Sequence, residues 1–289
     1  MLGSFVSFSR RCIRREKLKV SADKQLGMEM NTYLHGVYER LRNVPYYFSV
    51  MHYVFDSCPS IFFPLYKWRE GDSGNIVRRD TQLVIEGYPR SGNTFAETAL
   101  KLCQPSPLKT ADHLHAPAQV IRAAQYHIPL CVLIRRPEDV VRSLVVKYPR
   151  IRVADALKGY IRFYETCLPY QHAFLVATFA QVTTDFGRVI DGINEKFGTS
   201  FIRFEHTEAN VRRVFEILEQ RNVRLNQGKT LMSYYPNPLK ENMKNQVLLV
   251  PHGALLQRCH DLFSVYVKLA EQWGSLDWDS TDTHGGRLR

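Results

Sequence analysis

Between residues 81 and 205 the chain alternates short unbroken apolar runs with longer stretches whose apolar residues recur every three or four positions. The runs are "TQLVIEGY" (81–88), "LCVLI" (130–134) and "FLVATF" (174–179). Each is short and bounded by turn residues, the pattern of a strand buried on both faces. After the first run, Phe95, Ala96, Ala99, Leu102 and Cys103 mark one face of a helix beginning near Asn93. Pro117 suits the first position of a second helix that carries Val120 and Ile121. Pro137 opens a third, with Glu138 and Asp139 in its acid-favouring first turn and Val140, Val141, Leu144 and Val145 inward. Asp185 is a candidate cap for a fourth, with Val189, Ile190, Ile193 and Phe197 inward and Gly198 at its end. Strands alternating with helices predict an α/β chain: a doubly wound parallel sheet flanked by helices.

The pattern is weaker outside this region. Met28, Leu34, Val37, Tyr38 and Leu41 predict a helix over 22–43. Residues 46–67 are densely aromatic and contain prolines, which reads as irregular structure covering the core or forming a lid, with a grip on an apolar acceptor or a membrane surface as its functional version. Further helices are expected near 208–221, 238–249 and 253–273. The expected organisation is an extension over 1–80 packing on the core, a single domain over 81–275, and a flexible tail over 276–289.

Composition narrows the class. A chain of 289 residues with 45% hydrophobic and 12% aromatic residues has ample material for a core. The formal charge of +11 and the pI near 9.4 favour anionic ligands by long-range attraction. No nucleic-acid module is recognisable, and the basic residues are scattered except for Arg10, Arg11, Arg14, Arg15, Lys17 and Lys19, a solvated tail or a membrane-surface or polyanion contact. The six cysteines form no C-x-x-C pair, which points to reduced thiols, a cytoplasmic location and no zinc site. Neither a membrane span nor a signal peptide is legible.

The candidate chemistry lies in "EGYPRSGNTFAETAL" (86–100). From Gly87, four residues lead to Gly92, as in the phosphate-binding G-x-x-x-x-G-K-[ST] loop, but Asn93 and Thr94 follow where lysine and a hydroxyl residue belong. Strand, glycine loop and helix occur in the order that aims backbone N–H groups at an anion, so the fold is P-loop-like. The missing charge has a replacement in Arg90, with Ser91, Gly92, Asn93 and Thr94 as further anion contacts. The strand "LCVLI" ends in Arg135 and Arg136 and not in the aspartate that would hold a nucleotide-bound metal, so the expected site takes anions without a metal.

"YPRSGNTF" resembles the 5′-phosphosulfate loop of the sulfotransferases that use 3′-phosphoadenosine 5′-phosphosulfate, often written with lysine where this chain has Arg90. "RRPEDVVRS" resembles their 3′-phosphate motif, with Arg135 and Ser143 eight positions apart. The resemblance runs from about residue 82 to at least 205, since "GYIRFYETCLPY" and "VTTDFGRVIDGINEKFGTSF" are similar to bacterial-type sulfotransferase segments. It implies metal-independent transfer of a sulfuryl group to an acceptor hydroxyl or amine, with a hydroxylated small molecule, lipid or carbohydrate as acceptor. It also implies a histidine general base shortly before a proline. His115 in "HAP" fits best, and His113 is the second candidate; two residues apart, they share one side if the segment is extended. Arg90 is expected at the leaving phosphate, where its planar fork reaches differently from a lysine. Lys109 is either an assistant or an ordinary surface lysine, and Phe179 either stacks on the adenine or belongs to the core. The family's glycine-rich C-terminal segment over the 3′-phosphate is absent; Lys240 and Lys244, four apart, read best as a solvated helix face. Two other functions fit parts of the pattern, a degenerate P-loop kinase and a non-catalytic nucleotide- or polyanion-binding module.

Overall fold

The computed structural model describes residues 55–70, 75–226, 233–235 and 237–273. The expected helix over 22–43, the basic cluster from Arg10 to Lys19, residues 46–54 of the aromatic stretch and the tail over 276–289 lie outside the described residues. By internal contacts the chain divides into Met1–Val50 and Met51–Arg289, and the described residues all belong to the second unit.

Four strands form one parallel sheet: β1 (Leu83–Gly87), β2 (Thr110–Asp112), β3 (Leu130–Ile134) and β4 (Leu175–Thr178), in spatial order β2-β1-β3-β4. The described helices are α1 (Pro59–Glu70), α2 (Asn93–Cys103), α3 (Pro117–Gln125), α4 (Pro137–Lys147), α5 (Val153–Cys167), α6 (Phe179–Thr184), α7 (Phe186–Phe197), α8 (Glu208–Asn226), α9 (Pro238–Asn245) and α10 (Gly253–Glu271). The sheet is doubly wound because the chain leaves β1 toward β2 on one side and then returns past it to β3. Right-handed crossovers in opposite directions put their helices on opposite faces. Leu83, Ile85, Cys131 and Leu133 accordingly face α2, α7 and α8, while Val84, Val132 and Ile134 face α3, α4, α5 and α10. Ligands in such sheets bind beyond the carboxyl ends of the strands flanking the reversal, here β1 and β3.

β2 has no counterpart in the hydrophobic pattern: it is three residues long and two are polar, yet all three are buried beside β1. Pairing supplies what its composition lacks. A second difference is α1, where irregular structure was expected. Pro59 suits its first position, and Pro64 inside it costs a hydrogen bond that packing offsets. Phe63 is buried with the Arg122 guanidinium 3.7 Å from its ring centroid, and Phe62 stacks on Tyr66. On α2 the inward set is Phe95, Ala96, Ala99 and Leu100, and Leu102 is exposed instead. The run at 174–179 stops at Thr178, which caps α6 through a reciprocal bond with Gln181. Asp185 and Gly198 bound α7 as expected. No helix among the described residues is long and apolar enough to cross a membrane.

Candidate anion-binding and catalytic site

The loop from Tyr88 to Gly92 turns directly out of β1 into α2. Gly87 is required by proximity: a Cβ there would lie 2.6 Å from the Leu133 carbonyl oxygen on β3. Gly92 is required by conformation, with φ near 100°, and Arg90 shares the left-handed region at φ 74°. Two loop side chains predicted to meet an anion turn inward. Ser91 is fully buried with its hydroxyl 3.4 Å from the Tyr164 hydroxyl. Asn93 is buried and donates weakly to the carbonyls of Gly87 and Tyr88, tying the start of α2 back to β1. Their contribution is the shape of the loop and their backbone. Thr94 stands in the first turn of α2, half-buried, where unpaired helix N–H groups favour negative charge.

The second motif lies against this loop. Arg90 Nε donates to Ser143 Oγ at 2.9 Å, and Arg135 Nη1 donates to the Arg90 carbonyl at 3.2 Å. Arg135 is held from three sides: Tyr160 Oη donates to its carbonyl at 3.0 Å, its guanidinium lies 3.8 Å from the Phe179 ring centroid, and Asp139 is 3.9 Å from Nε. Phe179 therefore serves as a platform for Arg135 and leans on Gly92, where a Cβ would come within 3.2 Å of its ring. Nε of Arg135 is buried without a hydrogen-bond partner. Burial disfavours the charge on both arginines and lowers their pKa values, an effect that an incoming anion relieves.

Further cations extend this region, and Lys147 among them was not singled out in the sequence. Lys147, one turn beyond Ser143 on α4, lies near the rings of Tyr148 and Tyr234. Burial, together with the charges of Arg90, Lys240 and Arg221, pulls its ammonium down to about 8. Lys240 is half-buried and donates to the carbonyls of Ser233 and Tyr235 at 2.7 and 3.0 Å; its pKa is lowered by burial and by Arg90, so it is not a solvated helix face. Lys244 pairs with Glu241 at 2.6 Å. The signal available in the sequence was Lys147 at four residues from Ser143 on one helix.

This crowding has a measurable consequence. A lysine whose folded pKa lies below its unfolded value opposes folding while it is charged in the folded state, so without an anion stability rises with pH between about 8 and 10. An added anion favours the charged form. Stabilisation by an added anion such as sulfate is therefore expected to be greatest below pH 8 and to shrink above it, and Lys147→Met should flatten this dependence in thermal melts at pH 7 and 9. An unchanged slope in the variant would remove Lys147 from the anion field.

The histidine segment follows β2 and is not extended. His113 and His115 have φ 59° and 52°, both left-handed, so strand alternation does not place them; their rings nevertheless lie 5.9 Å apart. His113 Nδ1 lies 2.8 Å from Asp112 Oδ1 and 3.2 Å from Glu97 Oε2, and its Nε2 is 3.0 Å from Thr94 Oγ1. His115 Nδ1 lies 2.8 Å from the Gly87 carbonyl oxygen. A carbonyl only accepts, so Nδ1 carries the hydrogen and the basic lone pair of neutral His115 is on Nε2. Glu86 on β1 holds this segment from beneath: its fully buried carboxyl accepts from Leu114 N–H at 2.9 Å. Burial raises its pKa well above the usual carboxylate range. A glutamate inside an otherwise apolar strand was its signal in the sequence.

Arg135 stands at the end of β3, but β1 has a second neighbour, and β2 does end in an aspartate. Asp112 is committed to protein groups: His113, the Thr110 hydroxyl at 3.1 Å and Lys101 at 3.7 Å. Burial works against its charge, but these partners outweigh it and hold its pKa below the usual value. Lys109, the candidate assistant, is exposed and paired with Asp80 at 2.7 Å. The Arg90 guanidinium, expected at the leaving phosphate, is bonded to Ser143, and its charged neighbours are Arg135 at the end of β3, Lys147 on α4 and Lys240 on α9.

These elements define a doubly wound α/β protein with a glycine loop, a helix N-terminus and a cationic region at the sheet reversal. No protein-family model matches the chain, and no curated protein sequence matches it. Among solved structures it is similar to mouse sulfotransferase SULT7A1, crystallised in complex with PAP, at 13% identity and a TM-score of 0.39 over 68% of this chain and 89% of that one. A likeness at this level carries no argument about activity.

Proposed function

We propose that the protein is a sulfotransferase that moves a sulfuryl group from 3′-phosphoadenosine 5′-phosphosulfate to an acceptor hydroxyl. The observation that carries the reading is the junction of two motifs distant in sequence. Arg90 reaches Ser143 and Arg135 reaches the Arg90 backbone, so both cationic segments border one site. The fit to a nucleotide with an anionic group at each end rests on charge. The charge of Arg90 acts on Arg135, Lys147 and Lys240, Arg135 Nε is buried without a hydrogen-bond partner, and the pKa values of all four are pulled down.

In this reading the amides of Gly92, Asn93 and Thr94 and the Thr94 hydroxyl hold the phosphosulfate end. Arg135 and Ser143, joined by Lys147 and Lys240, hold the 3′-phosphate. Arg90 belongs to both, giving its backbone to the loop and its guanidinium to the 3′-phosphate side. The nucleotide supplies the activated sulfuryl group; the protein aligns it and stabilises the charge left on the phosphate. His115 takes the acceptor proton on Nε2 while Nδ1–H stays on the Gly87 carbonyl, which fixes the ring beside the loop. A hydroxylated small molecule, lipid or carbohydrate remains the acceptor class.

The test is thermal unfolding with nucleotides. Adenosine 3′,5′-bisphosphate at 100 times its Kd should stabilise the protein by about 2.7 kcal/mol without added metal, and ATP with Mg²⁺ should do less. The reverse order would favour a kinase, and equal, phosphate-independent effects would favour a general polyanion binder.

A further inference from the structure

Thr94 has one hydroxyl hydrogen and two claims on it. Its Oγ1 lies 3.0 Å from His113 Nε2, and it stands in the first turn of α2, where the reading above places an anion. The other edge of His113 decides which way the bond to Thr94 runs. Nδ1 faces Asp112 Oδ1 at 2.8 Å and Glu97 Oε2 at 3.2 Å, and ionised carboxylates only accept, so Nδ1 carries hydrogen. In the neutral ring Nε2 is then an acceptor and Thr94 donates to it. A hydroxyl spent on His113 has no hydrogen left for an anion.

For Thr94 to donate to an anionic oxygen while keeping its bond to His113, Nε2 must itself bear hydrogen and donate to Thr94. The ring then holds a proton on each nitrogen. The surroundings suit that state. Asp112 from β2 and Glu97 from α2 contact the ring directly. The nearby cations are paired to those carboxylates: Lys101 lies 2.5 Å from Glu97 Oε1 and 3.7 Å from Asp112 Oδ2, and Arg221 on α8 lies 3.9 Å from Glu97 Oε2. His115 is the remaining titratable neighbour, at 5.9 Å between rings.

We propose that an anion bound at the start of α2 is taken up together with one proton, which is held on His113 with Asp112 and Glu97 as its counter-charges. The proton comes from solvent: an N–H bond forms at His113 Nε2 as hydronium or a buffer acid gives up its proton, and no other covalent bond changes. His113 is thus a positioning residue: it acts through Thr94 by reversing the hydrogen bond between them. Anion affinity at this site falls as protons become scarce. The inference depends on the functional reading only for the place of the anion, not for its identity or for sulfuryl transfer.

The experiment uses the full chain, with ¹⁵N-labelled histidine and inorganic sulfate or adenosine 3′,5′-bisphosphate as probes. Sulfate is useful because it does not titrate near neutrality. Near pH 8, His113 should show a protonated Nδ1 and a bare Nε2 before addition, and two protonated nitrogens at saturation. Calorimetry in two buffers of different ionisation enthalpy should show uptake of up to one more proton per bound anion than in His113→Gln, whose amide donates to Thr94 without titrating. Comparing the two proteins subtracts any proton taken by Lys147. A ring that stays neutral at saturation, or is doubly protonated beforehand, overturns the proposal, as does an equal proton count in the variant. The labelled wild-type protein decides the matter even if the variant misfolds. Sulfate binding with ring protonation but no bisphosphate binding would leave the coupling standing and remove the donor reading. Bisphosphate binding without protonation would do the opposite, and binding of neither anion would remove both.

Discussion

His115→Ala is expected to lower sulfate transfer by about 10²–10⁴-fold, the usual worth of general-base assistance, while leaving the affinity for adenosine 3′,5′-bisphosphate unchanged. The split follows from geometry. His115 donates through Nδ1 to the Gly87 carbonyl at 2.8 Å, and that carbonyl belongs to the end of β1, not to a group that contacts phosphate. Its removal deletes the lone pair on Nε2, while the bonds of Arg90, Arg135 and Ser143 given above run to other groups. Backbone conformation does not separate the two, since both are left-handed, at φ 59° for His113 and 52° for His115; the buried Glu86 carboxyl holds the backbone N–H of Leu114 between them. His113 is occupied differently, with both nitrogens committed to Glu97, Asp112 and Thr94. Transfer measured with isotopically labelled donor at saturating concentrations, alongside calorimetry with the bisphosphate, separates the two residues. A rate left intact in His115→Ala would move the base to His113 or elsewhere.

Arg135→Ala is expected to weaken bisphosphate binding by about 10–100-fold, in line with the loss of a hydrogen bond between charged partners in a partly desolvated site. The substitution removes more than a charge. The bond to the Arg90 carbonyl and the stack on Phe179 disappear together, so the loop at Arg90 loses its tie to β3. Arg135→Lys keeps the charge but not the planar fork, and should recover only part of the affinity. The comparison is made by calorimetry at two salt concentrations, because the charge contribution is screened and the stacking contribution is not. Full affinity in Arg135→Ala would show that the end of β3 faces no phosphate.

Much of this was legible in sequence where one physical signal dominated. Leu130–Ile134 needs no partner to be read as a buried strand, and Pro117 and Pro137 mark helix starts because proline lacks only an N–H that a first turn leaves unpaired. β2 was not legible, since "TAD" becomes a strand only by pairing with β1. Its absence from the pattern concealed Asp112 and made the neighbouring strand seem to end only in arginine. The period of Ala156, Leu157, Tyr160, Phe163, Tyr164 and Cys167 on α5 is regular once tyrosine is counted as apolar. Tyr160 and Tyr164 are buried because their hydroxyls find the Arg135 and Leu133 carbonyls.

The sequence by itself determined the parallel α/β architecture, the turn out of β1 at Gly87 and Gly92, and the residue types able to hold anions. These depend on local periodicity, on backbone conformations open to glycine, and on charge. The tertiary structure alone decided where each charge points. It turned Ser91 and Asn93 inward, sent the Arg90 guanidinium to Ser143, gathered Lys147 and Lys240 beside it, and set His113 between two carboxylates. Such choices come from long-range packing and from the need to pair every buried polar group, which no stretch of sequence contains on its own.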